Sequence, residues 1–347
     1  MKPTVEVKLK GQGTSYNIIF ERITKDFLLG ENKEAYYIVD ANVHNLFLKV
    51  YKIKSFIFYS CEENKNLESA TKILDFLIEN DCKRKDLLIA IGGGIVGDVA
   101  GFAASIYMRG IPFVQVPTTL LSMVDSSVGG KNGVNYKNIK NYIGTYYQPK
   151  QVFIDVDFIK TLPEEEYLNG LAEVIKTAFL FDDVLVEKLE KNYKAILAKA
   201  PESLEDIIIS TIKHKIAVVE ADEKEASIRR LLNFGHTIGH AIEVDSHFEI
   251  KHGFAVAKGM YLETLYGEKS GLIEKGTLKK LRKLLTLYNF DINYNIRDDK
   301  IFENALVKDK KNIKNSTVLA LPVEVGKSCV FENIDINNML SGLLDDR

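Results

Sequence analysis

His236, His240, His247 and His252 crowd into one short stretch of a chain that has only 6 histidines. His236 and His240 stand four apart, so a helix places both imidazoles on one face, with Gly235 and Gly239 beside them. Two imidazoles with a carboxylate or a third histidine form a zinc-type set that leaves positions open for a substrate. A buried, hydrogen-bonded histidine pair is the competing reading, and His252, followed by Gly253, weighs against it. Upstream, Glu173 and Lys176 stand at i, i+3 within Gly170-Leu171-Ala172-Glu173-Val174-Ile175-Lys176. Such a pair is usually a solvated salt bridge. Flanked by Leu, Ala, Val and Ile, this one can project into a cavity instead. Arg109, Lys131, Lys140, Lys215 and Arg229 carry no individual signature.

A second chemistry is written in Ile89-Ala90-Ile91-Gly92-Gly93-Gly94-Ile95-Val96-Gly97-Asp98. Gly92, Gly94 and Gly97 make G-x-G-x-x-G between a strand and a helix, where backbone can approach a pyrophosphate and a helix N-terminus offers free N–H groups. Tight strand-to-helix packing is the plainer use of such a turn. The ribose-binding acid usually lies about 20 residues downstream, and none is there. Asp40, ending Tyr36-Tyr37-Ile38-Val39-Asp40, can serve from upstream.

The elements that must position these residues fall into two textures. Up to about residue 155, candidate strands Tyr36–Asp40, Ser55–Tyr59, Leu87–Ile91, Phe113–Pro117 and Val152–Asp155 alternate with helical patterns such as Leu67–Glu79. That alternation predicts an α/β domain with a mainly parallel sheet. From Pro163 the pattern becomes helical, through Leu185–Ala198, Leu204–Val219 and Phe254–Tyr266, with a hairpin of Thr317–Leu321 and Lys327–Phe331 near the end. The expected organisation is an α/β dinucleotide-binding domain over 1–158 and an all-α metal- and substrate-binding domain over 159–347.

Composition bounds the function. A formal net charge of −2 gives no electrostatic case for nucleic acid or a membrane surface. Cys61, Cys82 and Cys329 have no metal-ligand spacing and suit a reducing cytosol. No signal-like apolar region follows Met1 and no run suits a membrane span, so a cytoplasmic protein is expected.

Taken together, the segments resemble the 3-dehydroquinate synthase family of sugar phosphate cyclases, from about Asp40 to Lys311. The resemblance rests on Gly92–Ala104 with Arg109-Gly110, Gln115–Leu121, Val124–Lys131, Leu171–Lys176, Arg229–His240, His252–Met260 and Asp309-Lys310-Lys311, in that order. It implies NAD held by Gly93, Gly94 and Asp98, by Asp40 and Asn42, and by Glu62 and Lys65. Thr118, Thr119 and Leu121 would line the nicotinamide side, with Thr161, Leu162 and Glu166 completing the site and Lys131 and Lys140 beside it. One divalent ion, zinc or cobalt, would be held by Glu173, His236 and His252. In that arrangement His240 neighbours the substrate phosphate and is not a ligand.

Substrate contacts implied by the resemblance are Asp125, Lys131, Lys140, Asn141, Lys176, Lys215, Arg229, Asn233 and Lys310. Arg109 would reach the site of a second subunit in a homodimer. One departure is Ile139-Lys140-Asn141, where the family commonly has glycine before Lys-Asn. The implied reaction converts 3-deoxy-D-arabino-heptulosonate 7-phosphate, a sugar-acid phosphate, to 3-dehydroquinate and phosphate in the shikimate pathway. Its steps are NAD-mediated oxidation, phosphate elimination, reduction, ring opening and intramolecular aldol closure. Another sugar phosphate cyclase, a metal-dependent glycerol or alcohol dehydrogenase, and a non-catalytic NAD-binding sensor are the alternatives. Intact Glu173, Lys176, His236 and His252 argue against a sensor.

Overall fold

Ala35-Tyr36-Tyr37-Ile38-Val39-Asp40 is buried along its whole length, as a parallel strand covered on both faces must be. The computed structural model in which it sits describes residues 2–9, 15–29, 35–137, 139–225, 227–308 and 316–344. By compactness these form two units, Met1–Tyr167 and Leu168–Arg347.

The first unit runs β1 (Thr4–Val7), β2 (Tyr16–Phe20), α1 (Lys25–Leu29), β3 (Ala35–Asp40), the single turn α2 (Ala41–Val43), β4 (Ser55–Phe58) and α3 (Leu67–Glu79). It continues through β5 (Leu87–Gly92), α4 (Gly94–Ile106), β6 (Phe113–Pro117), β7 (Lys131–Tyr136), β8 (Ile139–Tyr146) and β9 (Gln151–Ile154). Seven strands form one sheet in the order β1-β2-β9-β6-β5-β3-β4, parallel except for the β1–β2 pair. Ile73 and Leu77 of α3 and Val96, Val99, Ala100 and Ala103 of α4 pack with Ile38, Leu88 and Ala90 of the sheet. β7 and β8 form a separate antiparallel ribbon. Neither that ribbon nor β1 and β2 was among the expected strands. Most of β8 is exposed, so no buried alternation marks it.

The second unit holds α5 (Glu164–Phe181), α6 (Asp183–Leu197), α7 (Pro201–Ala221), α8 (His236–Asp245) and α9 (His252–Lys269). Then come α10 (Thr277–Leu287), α11 (Asp299–Lys308), the hairpin β10 (Ser316–Glu324) with β11 (Lys327–Asp335), and α12 (Ile336–Leu344). The unit is therefore helical with one hairpin, each strand longer than the pattern implied. The division also falls later than the 158/159 boundary. Phe158, in the helical turn Val156–Thr161, meets Phe47 edge-on at 4.9 Å and keeps that turn with the first unit. Among the described residues no helix is long and apolar enough to cross a membrane.

α8 and α9 pack almost backbone to backbone. A Cβ on Gly259 would stand 2.0 Å from the Gly235 carbonyl oxygen and 2.7 Å from the Gly239 nitrogen. Backbone cannot swing aside as a side chain can. Gly259→Ala is expected to lower stability by about 1–3 kcal/mol or more, read as an earlier urea midpoint. An unchanged midpoint would contradict the close approach.

Candidate active site

Counted from β3, the parallel strands run 2-1-3-4-5 across the sheet, and the direction of winding reverses between β3 and β5. In open α/β sheets ligands bind outside the carboxyl ends of the strands at that reversal. Val39 pairs with Ile91 and Gly92 with Pro117, so Asp40, Gly92 and Pro117 end three adjacent strands side by side, with Thr118 next in the chain. This is why an acid upstream of the glycine turn can stand in for one downstream. Asp40 Oδ1 accepts the N–H groups of Asn42 (2.8 Å) and Val43 (3.1 Å), fixing its carboxylate at the strand end. Gly93 caps α4 without a side chain, and a Cβ there would come within 3.1 Å of Thr119 Cγ2. The turn thus presents bare backbone N–H groups at a helix N-terminus, the chemistry that a pyrophosphate needs.

Lys65 and Asp98 form an ion pair of 2.6 Å. Burial pushes the Asp98 carboxyl above its usual range against the pull of Lys65, and the nearby charges of Asp125 and Glu62 add to the push. Asn135 ties the β7–β8 ribbon to this group. Its Nδ2 donates to Glu62 Oε1 (2.7 Å), its N–H to the Lys65 carbonyl (2.7 Å), and its Oδ1 accepts the Asn141 N–H (2.9 Å). The sequence did not single out Asn135, although it lies between Lys131 and Lys140 on the ribbon. Ile139 adopts no left-handed backbone; Asn141 does, at φ 50°, and asparagine tolerates it.

Thr118 donates its N–H to the Gly92 carbonyl (2.9 Å), and Thr119 Oγ1 donates to Ser122 Oγ (2.9 Å). Leu121 precedes the π turn Ser122–Ser126 that carries Asp125. Thr161 ends the turn Val156–Thr161, Leu162 follows it, and Glu166 lies in the first turn of α5. Arg109 sits at φ 66° between Met108 at 48° and Gly110 at 110°, a run of positive-φ backbone that marks a constrained turn.

In the second unit Leu171, Ala172, Val174 and Ile175 of α5 are fully buried, and Glu173 and Lys176 are buried with them, each 2% exposed. The pair is no surface salt bridge. Lys176 Nζ contacts Glu173 Oε2, yet among the described residues neither carboxylate oxygen accepts a well-formed hydrogen bond. Facing Oε1 are His236 Nε2 at 3.7 Å and His252 Nε2 at 3.5 Å. Buried acceptors left without donors are costly, and one oxygen flanked by two imidazoles is a donor set that a divalent ion fits. His236 Nδ1 lies 3.0 Å from the Phe234 carbonyl, a contact that takes the proton on Nδ1 and leaves the Nε2 lone pair toward Glu173.

Two helix ends set these rings. His236 opens α8, whose Gly235 and Ile238 N–H groups are accepted by the buried Glu263 at 2.7 and 3.0 Å. His252 opens α9, and Asn169, one turn before Glu173 on α5, accepts the Gly253 N–H at 2.6 Å. His240 is exposed, its ring centroid 5.3 Å from that of His236 and 6.1 Å from that of His252. The i, i+4 spacing therefore places His240 near the cluster but on its open side. Lys215 is buried on α7 and Arg229 is buried in the turn Ile228–Asn233. Asp222 holds that turn by accepting the N–H groups of Ser227 (2.6 Å) and Arg229 (3.1 Å), and Asn233 donates to Glu225 (3.0 Å). Asp309-Lys310-Lys311 lies outside the described residues.

Burial opposes charge on Glu173, but the Lys176 ammonium and the two imidazoles hold its carboxyl well below the usual range. Burial and Lys176 hold His236 well below the ordinary imidazole value. Burial opposes charge on His252 too, yet Glu173 and Glu243 outweigh it and push the ring up to about 10.

Comparison with known proteins bears on both units. A family model described as 3-dehydroquinate synthase N-terminal matches residues 55–169, and one described as 3-dehydroquinate synthase C-terminal matches 170–312. The 3-dehydroquinate synthase of Clostridium tetani (strain Massachusetts / E88) is 40% identical over 326 residues, 90% of this chain and 87% of that one. Among solved structures, ValA, a 2-epi-5-epi-valiolone synthase from Streptomyces hygroscopicus subsp. jinggangensis 5008 with NAD+ and Zn2+ bound, has a TM-score of 0.86 at 26% identity, over 95% of this chain and 96% of that one. A 2-deoxy-scyllo-inosose synthase complexed with carbaglucose-6-phosphate, NAD+ and Co2+ shares the fold, with a TM-score of 0.87 at 24% identity over 99% of this chain and 100% of that one.

Two outcomes follow from the cluster's geometry and charge. His236→Ala and His252→Ala should lose bound metal on dialysis, whereas His240→Ala should keep near-stoichiometric metal; metal analysis of the dialysed proteins reads this directly. A metal-free His240→Ala beside a loaded His252→Ala would contradict it. Because the cation-free His252 ring is protonated below about pH 10, an entering ion must expel that proton. Metal affinity should therefore strengthen as pH rises, by about tenfold per unit for one displaced proton. Calorimetric titrations across the neutral range would detect it, and an affinity independent of pH would contradict it.

Proposed function

The chain belongs to the 3-dehydroquinate synthase family, and from that membership we infer how the residues above divide its reaction. The enzyme converts 3-deoxy-D-arabino-heptulosonate 7-phosphate to 3-dehydroquinate and phosphate, a phosphate-eliminating lyase reaction. The observation that carries the residue-level reading is the buried Glu173 carboxylate, short of hydrogen-bond donors and faced by two imidazoles, in a chain that both halves of the family match.

The first unit is assigned NAD. Asp40 takes the adenosine ribose, the N–H groups after Gly93 take the pyrophosphate, and Thr118, Thr119 and Leu121 border the nicotinamide. Glu62, Lys65 and Asp98 complete the cradle. The second unit is assigned the ion, zinc or cobalt, through Glu173, His236 and His252. When bound, NAD supplies a hydride acceptor that is restored in the same cycle, and the ion supplies Lewis-acid polarisation of a substrate hydroxyl.

The remaining work falls to the chain's own basic and polar side chains. The substrate carries a carboxylate and a phosphate, and the chain's net charge of −2 offers no general attraction for either. Lys131, Lys140, Asn141, Lys215, Arg229 and His240 supply local charge-assisted hydrogen bonds, each contributing about 1.5–3 kcal/mol. Holding both ends fixes the reacting carbons between successive steps, which is how positioning lowers the barriers. Lys176 keeps Glu173 ionised, so that Oε1 remains available to the ion.

A homodimer fits the surface of the first unit. Ile106, Met108, Tyr142 and Tyr146 are exposed, and the Thr145–Ser105 hydrogen bond (2.9 Å) holds β8 beside the end of α4. The constrained Arg109 turn leaves from that same helix end, which supports assigning Arg109 to the site of a second copy.

The test is stoichiometric. Protein loaded with metal and a single equivalent of NAD should release many equivalents of phosphate from 3-deoxy-D-arabino-heptulosonate 7-phosphate with no accumulation of NADH. It should be inactive on sedoheptulose 7-phosphate, which lacks the carboxylate. Reduced-nicotinamide absorbance rising in step with product would indicate an ordinary dehydrogenase instead.

A further inference from the structure

Glu243 is a buried carboxylate that the reaction outlined above does not use, 4% exposed and on α8 two turns beyond His236. Its Oε2 lies 3.6 Å from Nδ1 of His252, while Nε2 of the same ring lies 3.5 Å from Glu173 Oε1. One imidazole thus stands between two buried acids, one for each ring nitrogen. His236 is built to the same plan, with Nδ1 toward the Phe234 carbonyl and Nε2 toward Glu173. In both rings an acceptor stands behind Nδ1 and Nε2 points at the shared carboxylate. The difference is that the acceptor behind His236 is neutral and the one behind His252 is charged.

We propose that Glu243 is a positioning residue for the metal centre: it takes the Nδ1–H of His252, fixes the ring's tautomer, and aims the Nε2 lone pair at the ion. The proposal rests on the reading that Glu173, His236 and His252 hold the ion. An acceptor behind a ligating imidazole sets its orientation, and a charged acceptor also raises its basicity as a ligand. His252 needs this more than His236 does. His236 sits in a half-closed setting with its Nδ1 tied to backbone two residues away, whereas the His252 side chain is 31% exposed. A packed wall does not hold such a ring, so a polar anchor must.

His240, Glu243 and His252 also bring ligand-capable atoms within 4.8 Å of one another, which makes a second ion the rival use of Glu243. That use asks His252 to bridge two dications through both nitrogens, which requires the ring to lose its last proton. It also recruits His240, an exposed side chain, as one of its three ligands. A single ion with Glu243 behind the ligand needs neither.

The test compares wild type, Glu243→Gln and Glu243→Leu in zinc affinity by chelator competition, metal count per chain, and the visible spectrum of the cobalt-loaded protein. Glutamine keeps an acceptor but removes the charge; leucine removes both. The expected result is one ion per chain in all three, with zinc affinity falling about tenfold for Gln and toward a hundredfold for Leu, the range seen when such partners are lost. The cobalt ligand-field bands should shift in the same order. Equal affinities and an unmoved cobalt spectrum in all three would overturn the proposal. Two ions on wild type and one on Glu243→Gln would overturn it in favour of the second site. A wild-type chain that binds no ion, or binds one undisturbed by His252→Ala, would overturn the metal-centre reading itself and this proposal with it. Should Glu243→Leu fail to fold, the Gln variant, which preserves shape and hydrogen bonding, carries the comparison.

Discussion

The carboxylate of Glu173 brings a negative charge into a helix whose neighbouring residues are all buried. Taking a carboxylate out of water costs several kcal/mol even after relaxation, and one opposite charge at good geometry offsets only part of that. Lys176, one turn on, is the partner that α5 itself provides. It engages Oε2 and leaves Oε1 facing two imidazoles, with no hydrogen bond from the described residues to complete it. An unsatisfied acceptor in a low-dielectric setting is a strong site for a cation, because water cannot screen the attraction. The same pair that would be a minor surface contact elsewhere becomes the feature around which the second unit is organised.

The packing of α8 and α9 follows from what that carboxylate requires. Both imidazoles that face it stand at the first residue of a helix, where the macrodipole is positive and opposes a nearby cation. Glu263 cancels this at α8 by accepting two of its first N–H groups, and Asn169 satisfies the first turn of α9. Glu263 on α9 reaches the start of α8 because the two helices are nearly in backbone contact, which Gly235, Gly239 and Gly259 permit, and Asn169 reaches the start of α9 because Gly253 lets the α5 backbone come close. Asn169 and Glu173 lie four residues apart on α5, so one face of one helix fixes the end of α9 and faces the ring that end carries. Small residues, capping and ligand geometry are here one arrangement.

Much of this was legible in the sequence, for reasons that differ by element. β3, β5 and β6 are continuous buried runs bounded by turn residues, and their expected limits agree with the structure to within a residue. Leu67–Glu79 shows helical periodicity and is a helix over that span. The β7–β8 ribbon was missed because β8 buries almost nothing, and period-2 patterning appears only where one face is covered. The upstream acid Asp40 was suggested by the lack of one downstream, but its reason is strand order, a non-local property. The cluster was half visible. His236 and His240 advertise a pair by spacing, whereas Glu173 and His252 come to it from other helices, and only the family resemblance joined them. Glu243 shares a helix face with His236, seven residues before it, and with His240, three before it, a signal present in the sequence.

The account stands on Glu173, His236 and His252 meeting at a single ion. A crystal of the zinc-loaded protein, with diffraction recorded on both sides of the metal absorption edge, tests that most directly. The predicted result is one anomalous peak at about 2.0–2.2 Å from a Glu173 oxygen and from Nε2 of His236 and of His252, with His240 outside bonding distance. A peak bonded instead to His240, Glu243 and His252, with Glu173 left to Lys176 alone, would contradict it.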